Sequence, residues 1–225
     1  TGVQTCALPI FGVGYRVSGR WRVRASYGSA FKAPSFFENF ASGFTAGNPD
    51  LMPEQSRSGD LGLELALPNG SGLRVTAFQQ RFRDLIQYTG APPNPGDPNF
   101  FNIARANAGG VEFEADLPSV AGFATSVSHT WTDTRVVDAG YETGNGATFV
   151  RGEALIRRPA HTTSVAARRR INERLALSVT AVRIGERGDR DFSSFPATPV
   201  TLESVVLLDM ASEIGLSLQI GRAHV

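Results

Sequence analysis

The sequence predicts an all-β chain: an incomplete antiparallel up-and-down transmembrane β-barrel of about nine strands. Three observations carry that prediction. Apolar and polar residues alternate with period two in segment after segment, as they do when successive side chains point to opposite faces of a sheet. The connections between those segments take turns at being short and long. No stretch approaches the roughly 20 consecutive apolar residues of a membrane-spanning helix, whereas a membrane barrel hides its lipid face in every second position, out of reach of average hydropathy.

The strands follow in order. Residues 11–17 alternate weakly. From Trp21 to Phe31 the odd positions read Trp21, Val23, Ala25, Tyr27, Ser29 and Phe31, and the even ones Arg22, Arg24, Ser26, Gly28 and Ala30. In 59–67, Leu61, Leu63, Leu65 and Leu67 alternate with Asp60, Gly62, Glu64 and Ala66. Residues 73–83 repeat the pattern more loosely. In 111–117, Val111, Phe113, Ala115 and Leu117 alternate with Glu112, Glu114 and Asp116; weaker versions occupy 123–132, 161–170, 175–184 and 202–213. A helical period fits none of them well.

The connections are of two kinds. "SGR" at 18–20, "PNGSG" at 68–72, "PSVAG" at 118–122 and "INER" at 171–174 are tight and carry the Gly, Pro, Asn and Ser chemistry of hairpin turns. Between them fall the long ones, 33–57, 88–104, 135–158 and 188–200. Turns short at one end and long at the other mark an outer-membrane barrel, with strands of about 9 to 11 residues and the long loops outside. A soluble β-sandwich is the competing architecture, but its connections have no reason to alternate so regularly. On the polar face, charge signs alternate from strand to strand: Arg22 and Arg24, then Asp60 and Glu64, then Arg74, then Glu112 and Glu114. Such cross-strand pairs contribute roughly 0.2–1 kcal/mol each, so their main effect is on register; an ordinary solvated sheet face would look the same.

The two ends of the chain are set apart from this pattern. The codons ACT GGA GTT CAG ACG TGT GCT CTT CCG ATC spell residues 1–10, and ATC GGA AGA GCA CAC GTC spell 220–225. The second string is the reverse complement of part of the first, and the shared oligonucleotide resembles a short-read sequencing adapter. The natural segment is therefore expected to be 11–219, with 1–10 and 220–225 left out of fold reasoning. The one cysteine, Cys6, and one of three histidines, His224, fall in the excluded ends. No disulfide, thiolate zinc site or cysteine nucleophile follows from what is left. The formal charge of +1 drops to zero without Arg222, so no basic field recommends a nucleic acid as partner.

The segment "RASYGSAFKAPSFFENF", followed by "GNPDLMPEQSRSGDLGLE", resembles the barrel of TonB-dependent outer-membrane receptors. In that family a strand with Gly-x-Ala-Phe-Lys-Ala-Pro enters a long loop, and an Asn-Pro…Pro-Glu…Leu-Gly-Leu-Glu run leads out of it. "FQQRFRDLIQY" with "NIARANAGGVEFEA" is similar to the family's next strand pair, and "RRPAHTTSV", "RIGERGDRDF" and "VTLESVVLLDMASE" are similar to its cobalamin-receptor branch. The resemblance covers nearly all of 11–213. It implies a 22-stranded barrel in the bacterial outer membrane, blocked by an N-terminal plug that meets the TonB energy-transducing complex. It also implies a bulky cargo, cobalamin or a ferric siderophore. Plug and final strands are not found in this sequence, so the segment is not expected to transport by itself; outer-membrane lipid is its other expected partner. A passive or adhesive barrel is the alternative within the membrane.

Candidate site residues come from the long connections, where aromatic residues gather. Phe37, Phe40 and Phe44 stand in one, Phe100 and Phe101 in the next, Tyr141 in the third, with Phe36, Tyr88, Phe149, Phe192 and Phe195 nearby. Apolar surface with a few polar groups is what captures a bulky ligand. Aromatics at strand ends also form the interfacial girdle of a barrel, the alternative for Phe31, Phe36 and Tyr88.

Catalysis finds less support. His129 lies in apolar register beside Val127 and Trp131, His161 begins a strand, and no Gly-x-Ser-x-Gly turn occurs. Two histidines remote in sequence do not suggest a metal site. Glu112, Glu114 and Asp116 read as lumen lining rather than as acid and base. "GERGDRD" at 185–191 lacks the dense carboxylates of a calcium loop. No enzyme activity and no cofactor are expected.

Overall fold

The computed structural model describes residues 5–90, 92, 94–139, 149–191, 193 and 197–215. Nine strands form one antiparallel sheet: β1 (Thr5–Arg16), β2 (Trp21–Lys32), β3 (Glu54–Ala66), β4 (Gly72–Tyr88), β5 (Phe100–Val120), β6 (Phe123–Asp138), β7 (His161–Arg170), β8 (Leu175–Ile184) and, beyond a separate β9 (Arg187–Asp191) and β10 (Thr198–Leu202) hairpin, β11 (Val205–Ile214). Each strand pairs with its sequence neighbour, and β11 pairs with β8. The sheet is open, with β1 and β11 as its edges among the described residues.

Register places the alternating positions on two consistent faces. Trp21 pairs with Leu65, Val23 with Leu63 and Ala25 with Leu61; the row continues through Leu63, Val75, Phe113 and His129. A one-residue slip anywhere would move a whole strand's oily side chains to the other face, so the pattern fixes the pairing. These side chains cover no core: Leu61 is 58% exposed, Leu63 44% and Trp131 45%. An apolar area this wide has to meet something other than water.

The opposite face is ionic. Glu64 takes Arg22 at 3.7 Å, Arg24 at 2.7 Å and Arg74 at 3.3 Å, and Arg74 goes on to Glu114. Ser26 donates to Asp60 on the same face. Aromatic residues also stand on this face, among them Phe78, whose ring lies over Gly110; a Cβ there would stand 2.8 Å from the ring and 2.0 Å from the Trp131 carbonyl oxygen, so the strand needs glycine at that point.

The short connections are turns whose chemistry matches their sequences. Asn69 and Gly70 take positive φ in one, Ala121 and Gly122 in another. The Ser18 hydroxyl accepts from the Arg20 and Trp21 amides, and Asn172 Oδ1 from those of Arg174 and Leu175.

The long connections hold more structure than their sequences suggest. Residues 100–104, expected within a loop, open β5, which with β4 and β6 runs well past the alternating stretch. Backbone hydrogen bonding continues wherever two strands stay side by side, while alternation ends with the apolar surroundings that require it. Residues 36–40 form a short helix, α1 (Phe36–Phe40), and Arg187–Asp191 pairs with Thr198–Leu202 as the β9–β10 hairpin.

Candidate functional site

At the long-loop end of the sheet, two connections fold over the ionic face and the strand overhangs. The first is residues 33–53. Its helix α1 starts from a reciprocal cap: the Glu38 amide donates to Ser35 Oγ at 3.2 Å and the Ser35 amide to Glu38 Oε2 at 2.6 Å. Burial alone would raise the Glu38 carboxyl, but the Ser35 hydrogen bonds and Lys32, 3.6 Å away, hold it below its ordinary value.

Three asparagines then pin this loop to the β4–β5 overhang. Asn99 Oδ1 accepts from the Ala46 amide and Asn99 Nδ2 donates to the Thr89 carbonyl; Asn48 Nδ2 donates to the Phe100 carbonyl; Asn102 accepts from the Met52 amide and donates to the Met52 carbonyl. Leu51, Ile86 and Phe100 pack together beneath, with Ala41 against them.

The second connection is residues 149–158. Val136 donates to the Glu153 carbonyl and accepts from the Gly152 amide, and the Leu155 amide donates to Thr134 Oγ1. Phe101, Val136, Ala139 and Phe149 form its core, with Leu85, Leu155 and Ile156 packed on it. The β9–β10 hairpin joins through Arg157, whose amide donates to the Gly188 carbonyl and whose guanidinium meets Asp189 at 2.9 Å. The Arg190 amide, then Arg157, hold the Asp189 carboxyl below its ordinary value.

Between this loop and the ionic face lies a pocket of about 710 Å³, walled by Phe78, Phe82, Thr132 and Thr134 from the strands and by Phe149, Ile156 and Arg158 from the loop. Mixed aromatic, hydroxyl and cationic lining in a space of that size suits a bulky polar molecule.

The aromatic candidates divide. Phe100 and Phe101 are 8% and 4% exposed, built into the two loop cores. Phe37 packs edge-on against Phe100 with ring centres 5.8 Å apart yet remains 61% exposed, and Phe40 leans on Phe36. Phe44 is fully exposed. Tyr88 packs on Phe100. Tyr141, Phe192 and Phe195 lie outside the described residues. The structure therefore brings Phe37, Phe100 and Phe40 to one rim, while Phe101 sits under the other loop.

Sequence reasoning missed the pocket's threonines, Thr130, Thr132 and Thr134, which alternate with Trp131 and Asp133 and could have been read as a lumen stripe. It also missed the Ser35-x-x-Glu38 cap, a legible helix start. The two histidines, distant in sequence, are neighbours across β6 and β7: His129 Nδ1 bonds Thr163 Oγ1 at 2.8 Å and its ring stacks on that of His161. Among the described residues no three His, Cys, Asp or Glu side chains gather as metal ligands do.

A single sheet with an oily outer face, an ion-paired inner face and ordered loops folded over one end is the wall of an outer-membrane barrel with a capped mouth. The chain belongs to the family described as TonB dependent receptor-like, beta-barrel, whose model matches residues 7–221, and thus to the bacterial outer membrane. It is similar to the vitamin B12 transporter BtuB of Vibrio cholerae serotype O1, 29% identical over 198 residues, covering 88% of this chain and 29% of that one. Its fold is similar to that of the ferric enterobactin receptor PfeA of Pseudomonas aeruginosa, in a G324V mutant (TM-score 0.67, 17% identity, 95% of this chain and 32% of that one). The pyoverdine outer-membrane receptor FpvA of Pseudomonas aeruginosa PAO1 is another such neighbour (TM-score 0.63, 16% identity, 91% and 29%). The chain thus spans under a third of the length of these relatives.

Proposed function

We propose that this chain is the barrel part of an active-transport receptor that imports a bulky nutrient, cobalamin or a ferric siderophore. The observation that carries the reading is the loop-capped pocket of about 710 Å³ on the inner face, walled by both aromatic and cationic groups. The names of its relatives, a vitamin B12 transporter and receptors for ferric enterobactin and pyoverdine, support the choice of cargo. In this reading Phe37, Phe40 and Phe44 offer exposed rings to the ligand, Phe100 supports Phe37 from beneath, and Phe101 holds the loop over the pocket; Tyr141, outside the described residues, is a further ligand candidate. No bond is made or broken. The barrel selects and guides; the TonB energy-transducing complex supplies work through a plug of the kind the family carries. Residues 1–10 and 220–225 stay outside the natural segment, which sequencing of the uninterrupted gene tests.

The test of cargo is direct binding. The receptor containing this barrel, purified in detergent, is titrated with cyanocobalamin and separately with ferric enterobactin. Saturable binding of either one, weakened about tenfold in a Phe40→Ala/Phe44→Ala variant, is the expected result. A folded receptor that binds neither, nor another corrin or iron chelate, contradicts it.

A further inference from the structure

The outward face carries a feature that the pocket and its loops leave unused. One ladder row marks the top of the apolar band across four strands: Leu61, Ala77, Val111 and Trp131 are successive partners. Four residues closer to the loops on each strand, the same outward register sets Arg57, Arg81, Asn107 and Arg135 in one row; beyond it, Arg83 faces Arg105. All five arginines are exposed. Arg57 opposite Arg81 and Arg83 opposite Arg105 are like charges in direct cross-strand pairs, which destabilise a ladder unless something negative lies between them.

The protein provides little of that negative charge. Among the described residues, Arg57, Arg81, Arg83 and Arg135 have no carboxylate within ion-pair distance, and Arg105 has Asp138 at 3.9 Å. Asp133 lies in the row below, and Asp84 occupies a positive-φ kink next to Arg83. Arg57, Arg81 and Arg83 line one open hollow of about 400 Å³ with Ser29 and Gln55.

We propose that this arginine collar binds the phosphate groups of a phosphorylated lipid in the outer leaflet. Height is the first argument. Four residues along a strand rise about 13 Å, which a tilt of roughly 35–45° reduces to about 10 Å above the Trp131 level. Arginine side chains are long enough to reach down from there into the headgroup layer while their stems lie on apolar surface. Chemistry is the second. A guanidinium fork binds phosphate in bidentate fashion, and neighbouring strands about 4.8 Å apart let two forks share one anion. Continuity is the third: the collar parallels the upper edge of the lipid-facing band on four consecutive strands, two outward positions above it, at the level of the lipid headgroups. A cargo moving through the lumen never meets this face.

The test uses the intact receptor in detergent, mixed with lipid A bearing both phosphates, with the same lipid after phosphatase treatment, or with inorganic phosphate, and examined by native mass spectrometry. Bound diphosphorylated lipid is expected, at about tenfold lower apparent affinity when the phosphates are removed, and inorganic phosphate should displace it no better than chloride at equal ionic strength. An R57Q/R81Q/R83Q variant that still shows the heat-dependent gel shift of a folded barrel should lose the preference for the phosphorylated lipid. Equal binding of the two lipids by the unaltered receptor overturns the proposal whether or not the variant folds. So does an unchanged preference in a folded variant, and displacement by free phosphate would reduce the collar to a general anion site.

Discussion

Phe101 and Phe44 belong to the same population of loop aromatics and do opposite work. Phe101 is packed among Val136, Ala139 and Phe149, whereas Phe44 touches solvent all round. Truncating a buried phenylalanine costs about 3–5 kcal/mol, so Phe101→Ala should release the loop over the pocket. Hydrogen exchange should then lose protection across 149–156, while Phe44→Ala leaves protection intact and weakens only cargo binding. A protected loop in the Phe101→Ala variant would contradict this division. Asp189 sets a pH dependence at the same scale. Its carboxyl is depressed by the Arg190 amide and Arg157, so its contribution to the folded hairpin is present above the ordinary carboxylate value near 4 and is lost as pH falls through the depressed one. Proteolysis of 187–202 should accordingly accelerate only in strong acid, and Asp189→Asn should raise the rate at neutral pH and flatten the profile.

At the scale of elements, Ser35 decides whether α1 forms. Loss of its cap removes about 1 kcal/mol, and a helix of five residues has little else to hold it. Ser35→Ala should raise hydrogen exchange in 35–40 and leave 46–53, which Asn99, Asn48 and Asn102 pin independently, close to unchanged. All nine strands of the main sheet were legible in the sequence, because each has one face in an apolar medium and period two is the direct imprint of that arrangement. The overhangs of β4, β5 and β6 were not, since above the apolar band the faces meet water or other loops and the alternation has no cause. The β9–β10 hairpin was hidden for the same reason: "RGDRD" carries no oily face. Of the candidate site, the aromatic connections were legible as a group. Which rings would be platform and which surface was not, because that depends on asparagine clamps between residues about fifty positions apart, such as Asn102 with Met52.

For the whole molecule, the two faces of one sheet should respond to charge in opposite ways. Leu63→Arg places a cation on the outward face within the apolar band and should cost roughly 2–4 kcal/mol of barrel stability in a bilayer. Glu64→Gln, its neighbour on the inner face, removes partners from Arg22, Arg24 and Arg74, all half-exposed, and should cost about 1 kcal/mol or less. Denaturant titration in lipid vesicles compares the two. The central claim is read most directly by nitroxide scanning of β3. Single cysteines from Leu61 to Leu65 are labelled in the reconstituted receptor, and collision with oxygen is compared with collision with a water-soluble nickel chelate. Oxygen should dominate at 61, 63 and 65 and the chelate at 62 and 64. Equal accessibility at all five positions, or the inverse order, would contradict a barrel wall with lipid on its odd face.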